Sequence, residues 1–258
     1  MKPVLVALWI VAGFGADAAR AELHLGGGLE YFDWREDTTP EVRETGPIAA
    51  FHASWTEDKS SGMVFGAKGR IWAGSVDYDG AELGTNQPLS GTTDYFGLGG
   101  EGQLRFRRTV GANHLDLLLG LGWEYWLRQL TRSQSEEYTL LTVRAGAEMS
   151  PGGKGAGFLA GIAVKYPVYV YENANFDEIG ARNNPALKPK GAVSATAHMG
   201  YRLDSKWQIT GYYESVWLRA SDAVFVDFPG GSALPAGFYY QPESHMNVLG
   251  LRLEYQLR

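Results

Sequence analysis

The sequence predicts an all-β protein, a closed antiparallel up-and-down transmembrane β-barrel of about ten strands. Three observations predict it. Apolar and polar residues alternate with period two in ten successive segments, which puts the two sets on opposite faces of each strand. The clearest segment alternates over about fifteen residues, where strands of soluble proteins average roughly 5–6 and a tilted transmembrane strand needs about 9–11. Connections after odd segments are long and polar and those after even segments short, the layout of an outer-membrane barrel with external loops and periplasmic turns.

The first strand spans about 22–35, with Leu23, Leu25, Leu29 and Tyr31 on one face and His24, Glu30 and Trp34 on the other. The second, about 46–56, sets Ala49, Phe51 and Trp55 against His52 and Ser54. The third, about 63–76, sets Phe65, Ile71 and Ala73 against Lys68, Arg70 and Trp72, and a loop runs from Asp77 to about Gly91. The fourth, about 93–107, has Phe96, Leu98, Leu104 and Phe106 against Glu101, Gln103 and Arg105. The fifth, 114–128, carries the strongest pattern: Leu115, Leu117, Leu119, Leu121, Trp123, Tyr125 and Leu127 alternate with Asp116, Leu118, two glycines, Glu124, Trp126 and Arg128.

The sixth strand, about 137–149, sets Leu141, Val143 and Met149 against Arg144 and Glu148. The seventh, about 156–171, sets Phe158, Ile162, Val164, Tyr166 and Val168 against Lys165, Tyr169 and Tyr171, with a long loop over 172–189. The eighth, about 190–202, opposes Val193, Met199 and Tyr201 to Ser194, Thr196, His198 and Arg202. The ninth, about 206–219, opposes Trp207, Ile209 and Tyr213 to Gln208, Thr210 and Glu214. After about two dozen residues the tenth, 245–257, opposes Leu249, Leu251, Leu253 and Tyr255 to Arg252, Glu254 and Gln256. Aromatic residues mark both ends of the apolar rows: Trp55, Phe106, Phe158, Tyr201, Trp207 and Tyr255 on the turn side, Tyr31, Tyr125, Tyr166 and Trp217 on the loop side. Two such belts suit two headgroup layers.

A basic start, an apolar run from Val4 to Ala16 and Ala19-Arg20-Ala21 read as a secretory signal peptide over 1–21. Residues 22–258 are then a single outer-membrane barrel domain. Without Lys2, Asp17 and Arg20, 21 basic and 28 acidic residues remain, a net charge of −7, which argues against a nucleic-acid partner. The absence of cysteine excludes disulfides and thiolate chemistry. No cofactor or metal site is expected.

With the apolar rows against lipid, the lumen receives Glu30, Lys68, Arg70, Glu101, Arg105, Asp116, Glu124, Arg128, Arg144, Glu148, Lys165, Arg202, Glu214, Arg252 and Glu254. Mixed signs can pair across a core only modestly wider than the eight-stranded barrel that side chains fill, so a plugged or very narrow lumen is expected. The external segments are acidic, with Glu36, Asp37, Glu41, Glu44, Asp77, Asp79, Glu82, Asp94, Glu136, Glu137, Glu172, Asp177, Glu178, Asp222, Asp227 and Glu243. They form either a solvated surface or an electrostatic trap for cationic peptides or for divalent cations that bridge lipopolysaccharide. Outer-membrane lipid and lipopolysaccharide are the expected surroundings. His52-Ala53-Ser54 is similar to the His-x-Ser pair of lipid A deacylase barrels, although it falls in the lower half of the strand.

Ten strands, Asp77-Tyr78-Asp79 after the third and Asp177-Glu178-Ile179 after the seventh resemble the omptins, outer-membrane proteases with an Asp-x-Asp at the first place and an Asp-x-His at the second. The resemblance implies a water activated between an acidic pair and an Asp–His dyad. It assigns Asp77 and Asp79 to the pair and Asp177 to the dyad, while the dyad histidine falls on Ile179, which cannot accept a proton. His245 is the one histidine on the external side. Two functions follow: a non-enzymatic structural or surface-binding barrel, the favoured reading, or an omptin-like endopeptidase for basic peptides using Asp77, Asp79, Asp177 and His245.

Overall fold

The computed structural model describes residues 21–257 apart from 83, 84, 86, 133, 154 and 231–233. The expected export signal lies outside the described residues except for Ala21. Alternation becomes ten barrel strands: β1 (Ala21–Glu36), β2 (Val42–Glu57), β3 (Gly62–Ala81), β4 (Pro88–Val110), β5 (Asn113–Thr131), β6 (Gln134–Pro151), β7 (Gly157–Ala174), β8 (Ser194–Arg202), β9 (Trp207–Arg219) and β10 (Ser244–Gln256). Each pairs antiparallel with its sequence neighbours, and β10 closes on β1 from Gln256 opposite His24 to Ser244 opposite Glu36. Closure removes the free edges, so the backbone hydrogen bonds are met inside the wall. Among the described residues no helix is long and apolar enough to cross a membrane; crossing falls to the strands.

The faces divide as the alternation requires. Leu29, Leu117, Leu121, Phe158, Ile162, Met199, Leu249 and Leu251 are 56–74% exposed, a row pattern that water would penalise by about 25 cal/mol per Å² and lipid would not. Phe158 packs edge-on against Tyr201 and Trp207 against Tyr255, each at 4.9 Å between ring centres, within the lower belt. The inward rows hold the expected charges.

Three expectations change. The segment 77–91 is mostly strand: the β3–β4 hairpin continues to Ala81 and Pro88, so the wall stands above the apolar band. Between β5 and β6 the chain also turns tightly, and only 175–193 and 220–243 remain as long external connections. Finally, β6 opposite β7 slips between Leu141, paired with Tyr169, and Thr142, paired with Pro167. The extra residue, Val168, is a bulge, and a one-residue slip exchanges faces. Tyr169 is therefore outward rather than inward, and Val170 and Glu172 are turned into the lumen.

Candidate functional site

The upper lumen is filled by an aromatic layer. Phe32 and Trp34 from β1, Trp72 from β3, Tyr95 from β4, Trp126 from β5 and Tyr138 from β6 are all buried in one cluster. Trp126 stacks on Tyr138 at 5.0 Å and 15°, while Trp34 meets Tyr138 edge-on at 5.6 Å. Every one lies on the inward parity of its strand. Glycine makes the room: a β-carbon at Gly97 would collide with the Trp72 indole. Bulky rings at this position close the passage that a wider barrel would leave open.

Arg128 lies above this layer, buried and shared by three carboxylates. Its guanidinium donates to Glu36 at 2.6 Å, Glu44 at 2.7 Å and Glu136 at 2.8 Å, and its carbon centre lies 5.4 Å from the Trp34 ring. Glu44 also accepts from Thr93 at 3.0 Å and from the Tyr95 hydroxyl. Glu36 accepts from Trp34 Nε1 at 3.0 Å, and Tyr138 donates to Glu136 at 3.2 Å. The bulge adds Glu172, 1% exposed, with neither carboxylate oxygen hydrogen-bonded. The sequence reading placed these four glutamates among solvated external acids; all four are buried because each follows the inward parity of a strand that runs past the membrane. Their outward neighbours, Asp33, Arg35, Arg43, Asp77 and Asp79, are polar, which sets this layer above the lipid band.

The two long connections cover it. Residues Phe176–Ile179 form a single 3-10 turn, and Val224–Val226 pairs with Gly237–Tyr239 as a short ribbon. Phe176, Leu187, Val226, Phe228 and Leu234 make a second apolar cluster, with Ile179 packed against it. Gln241 ties the cover to the layer beneath, donating to Ser244 at 2.9 Å and Glu36 at 3.3 Å.

The residues singled out as a protease site are not brought together by these elements. Asp77 and Asp79 are exposed on the outer parity of β3, the parity of Ile71 and Ala73. His245 is on the outer face of β10, against Trp217 at 5.2 Å and Glu243 at 3.3 Å, with β1 and β2 between it and β3. Asp177 is exposed in the 3-10 turn. Ile179 serves the apolar cover instead of a dyad. Among the described residues no three histidine, cysteine or acidic side chains are grouped to hold a metal ion.

Below the aromatic layer the lumen is polar. His52 faces inward, 3.1 Å from the Tyr212 hydroxyl and 3.6 Å from Glu30, and Arg70 pairs with the same glutamate. Lys165 bridges Glu124 at 2.6 Å and Glu214 at 2.7 Å. Trp72 and Trp126 roof a cavity of about 130 Å³ here, and a second of about 190 Å³ continues to the periplasmic end; Ser54 and Lys68 line both. His52 thus belongs to a network of paired charges deep in the barrel, with Ser54 on the wall of the same cavities.

No family model and no curated protein matches the sequence. Among solved structures, the outer membrane protease OmpT from Escherichia coli superposes with a TM-score of 0.54 at 10% identity, over 92% of this chain and 96% of that one. The translocator domain of the autotransporter NalP from Neisseria meningitidis gives 0.36 at 8% identity over 96% and 92%. The toluene transporter TodX of P. putida gives 0.34 at 8% over 92% and 89%. The last two overlays fix nothing beyond what strand order already shows. A closed ten-stranded barrel with an omptin-like architecture and a lipid-facing exterior is the fold of an outer-membrane protein, and the chain belongs in that membrane.

Proposed function

We propose that the protein is a non-enzymatic outer-membrane barrel with a structural or surface-binding role, exported by its residues 1–21 and built as a single domain over 22–258. The observation that supports this reading is the placement of the acids: Asp77 and Asp79 look outward, Asp177 lies in the cover, and Glu36, Glu44 and Glu136 inside the mouth are locked on Arg128. A hydrolytic site needs base, acid and water held together within hydrogen-bond reach. The outward acids Glu41, Asp77, Asp79, Glu82 and Asp94 are exposed instead. They form an electrostatic collar suited to divalent cations between lipopolysaccharide headgroups or to cationic peptides, while the apolar rows take the lipid.

The test is turnover. Refolded barrel in lipid vesicles is incubated with fluorogenic peptides containing arginine and lysine; no hydrolysis above the lipid blank is expected. Hydrolysis that disappears in Asp79→Ala would replace this reading with an endopeptidase of the omptin kind, for which the OmpT-like architecture is the support.

A further inference from the structure

Three of the four carboxyls in the upper lumen are supplied with donors and the fourth is not. Glu36 accepts from Arg128, Trp34 and Gln241, and Glu44 from Arg128, Thr93 and Tyr95. Glu136 accepts from Arg128 and Tyr138. Glu172 is buried and neither of its oxygens is hydrogen-bonded. Tyr138 stands opposite it in the β6–β7 register, but the single hydroxyl proton of that tyrosine goes to Glu136.

The charges around Glu172 point the same way. Arg128 from β5 is the one cation among Glu36, Glu44, Glu136 and Glu172 in the described structure. The phenols Tyr78 and Tyr95 from β3 and β4 are neutral, and β9 and β10 present Val216, Leu218 and Met246. Lys165, the other inward cation of β7, is engaged lower down by Glu124 and Glu214. From the cover come another acid, Glu178, and two lysines, Lys188 and Lys190, that are exposed. Four ionised carboxylates would leave Arg128 outnumbered in a site closed by the aromatic layer and the cover. A buried carboxyl beside like charges takes up a proton instead. The outward residues at this level, Glu137 and Asn173, are polar and set it above the lipid band; here burial and the facing Glu136 and Glu36 push Glu172 well above the ordinary carboxylate range. A proton fits where a metal ion does not, since among the described residues no three acids are grouped to hold one.

Glu172 also lies at an anchor of the cover. It pairs in register with Leu187, which is buried in the cover's apolar cluster. On the next strand Ser135, beside Glu136, holds the other anchor: its carbonyl accepts from the Asn175 N–H at 3.1 Å and its hydroxyl donates to Glu178 at 2.9 Å. Repulsion between ionised Glu136 and Glu172 would act on both anchors. We propose that Glu172 carries a proton at neutral pH, supplying the donor this group lacks, and that loss of the proton releases the cover over 175–193.

The sign of the effect is fixed by linkage. A carboxyl held above its unfolded-state value gives stability that is complete below that value and is lost as pH rises through the folded-state one. The wild-type cover should therefore loosen progressively from mildly acid to alkaline pH, and Glu172→Gln, neutral at every pH, should not. Infrared spectra of the barrel in an ester-free detergent at neutral pH should show the carbonyl stretch of a protonated carboxyl. That stretch should persist in the outward variant Glu137→Gln and vanish in Glu172→Gln. Hydrogen exchange of amides in 175–193 is then followed across the pH range, each wild-type rate divided by that of Glu172→Gln at the same pH so that the chemical rate cancels. The ratio should rise at least about tenfold, the equivalent of one pH unit. Should Glu172→Gln fail to give the heat-modifiable folded band, Glu172→Met takes its place. A wild-type spectrum without the stretch would overturn the protonated acid, and an exchange ratio flat in pH would overturn the release of the cover.

Discussion

The two halves of the lumen solve the problem of buried charge in different ways. In the upper half one guanidinium, Arg128, is divided among Glu36, Glu44 and Glu136, and Glu172 adds a fourth carboxyl with no donor. In the lower half the charges are neutralised in local pairs, Arg107 with Asp116, Arg105 with Glu148, Arg252 with Glu254 and Lys165 with Glu124 and Glu214. Trp34, Trp72, Trp126 and Tyr138 lie between them. The aromatic layer keeps the two sets of charges apart. The difference teaches that the upper half hangs on a single guanidinium, whereas the lower half is spread over several independent pairs.

Removing the centre of the lock gives the largest expected effect. Arg128→Met leaves three buried carboxylates unneutralised, and loss of one member of such a cluster costs about 3–5 kcal/mol. Urea unfolding in lipid vesicles measures it. Arg202→Gln, which breaks no ion pair, should change the same midpoint far less; equal losses at both positions would erase the contrast between the halves.

A smaller effect of opposite sign sharpens the picture. Glu172→Gln keeps the shape and removes a carboxyl that has no hydrogen-bond donor and faces other acids, so stability should rise by about 1 kcal/mol. A loss of stability in the same unfolding assay would mean that Glu172 is held by a partner the lock depends on.

Much of this was legible in the sequence. The outward leucine rows, the ten strands and the inward charges follow from period two alone, and the aromatic layer follows from Trp34, Trp72 and Trp126 sharing parity with lumenal charges. The face of Asp77 and Asp79 was legible too, since they continue the parity of Ile71 and Ala73. Reading 77–91 as a loop breaks that count. The inward turn of Glu172 was not legible: one inserted residue at Val168 reverses the faces above it, and a valine beside a tyrosine looks the same with or without a bulge. Nor does a local pattern announce the cover, where Phe176, Leu187 and Phe228 meet from two separate connections.

Single-channel recording in planar bilayers bears most directly on the sealed lumen. Wild-type barrel, with insertion verified by protection from added protease, should give no conductance steps, because rings from five strands close the passage beneath the cover. Resolved, repeated openings of the wild-type protein under those conditions would contradict the plug and with it the division of the lumen into two halves.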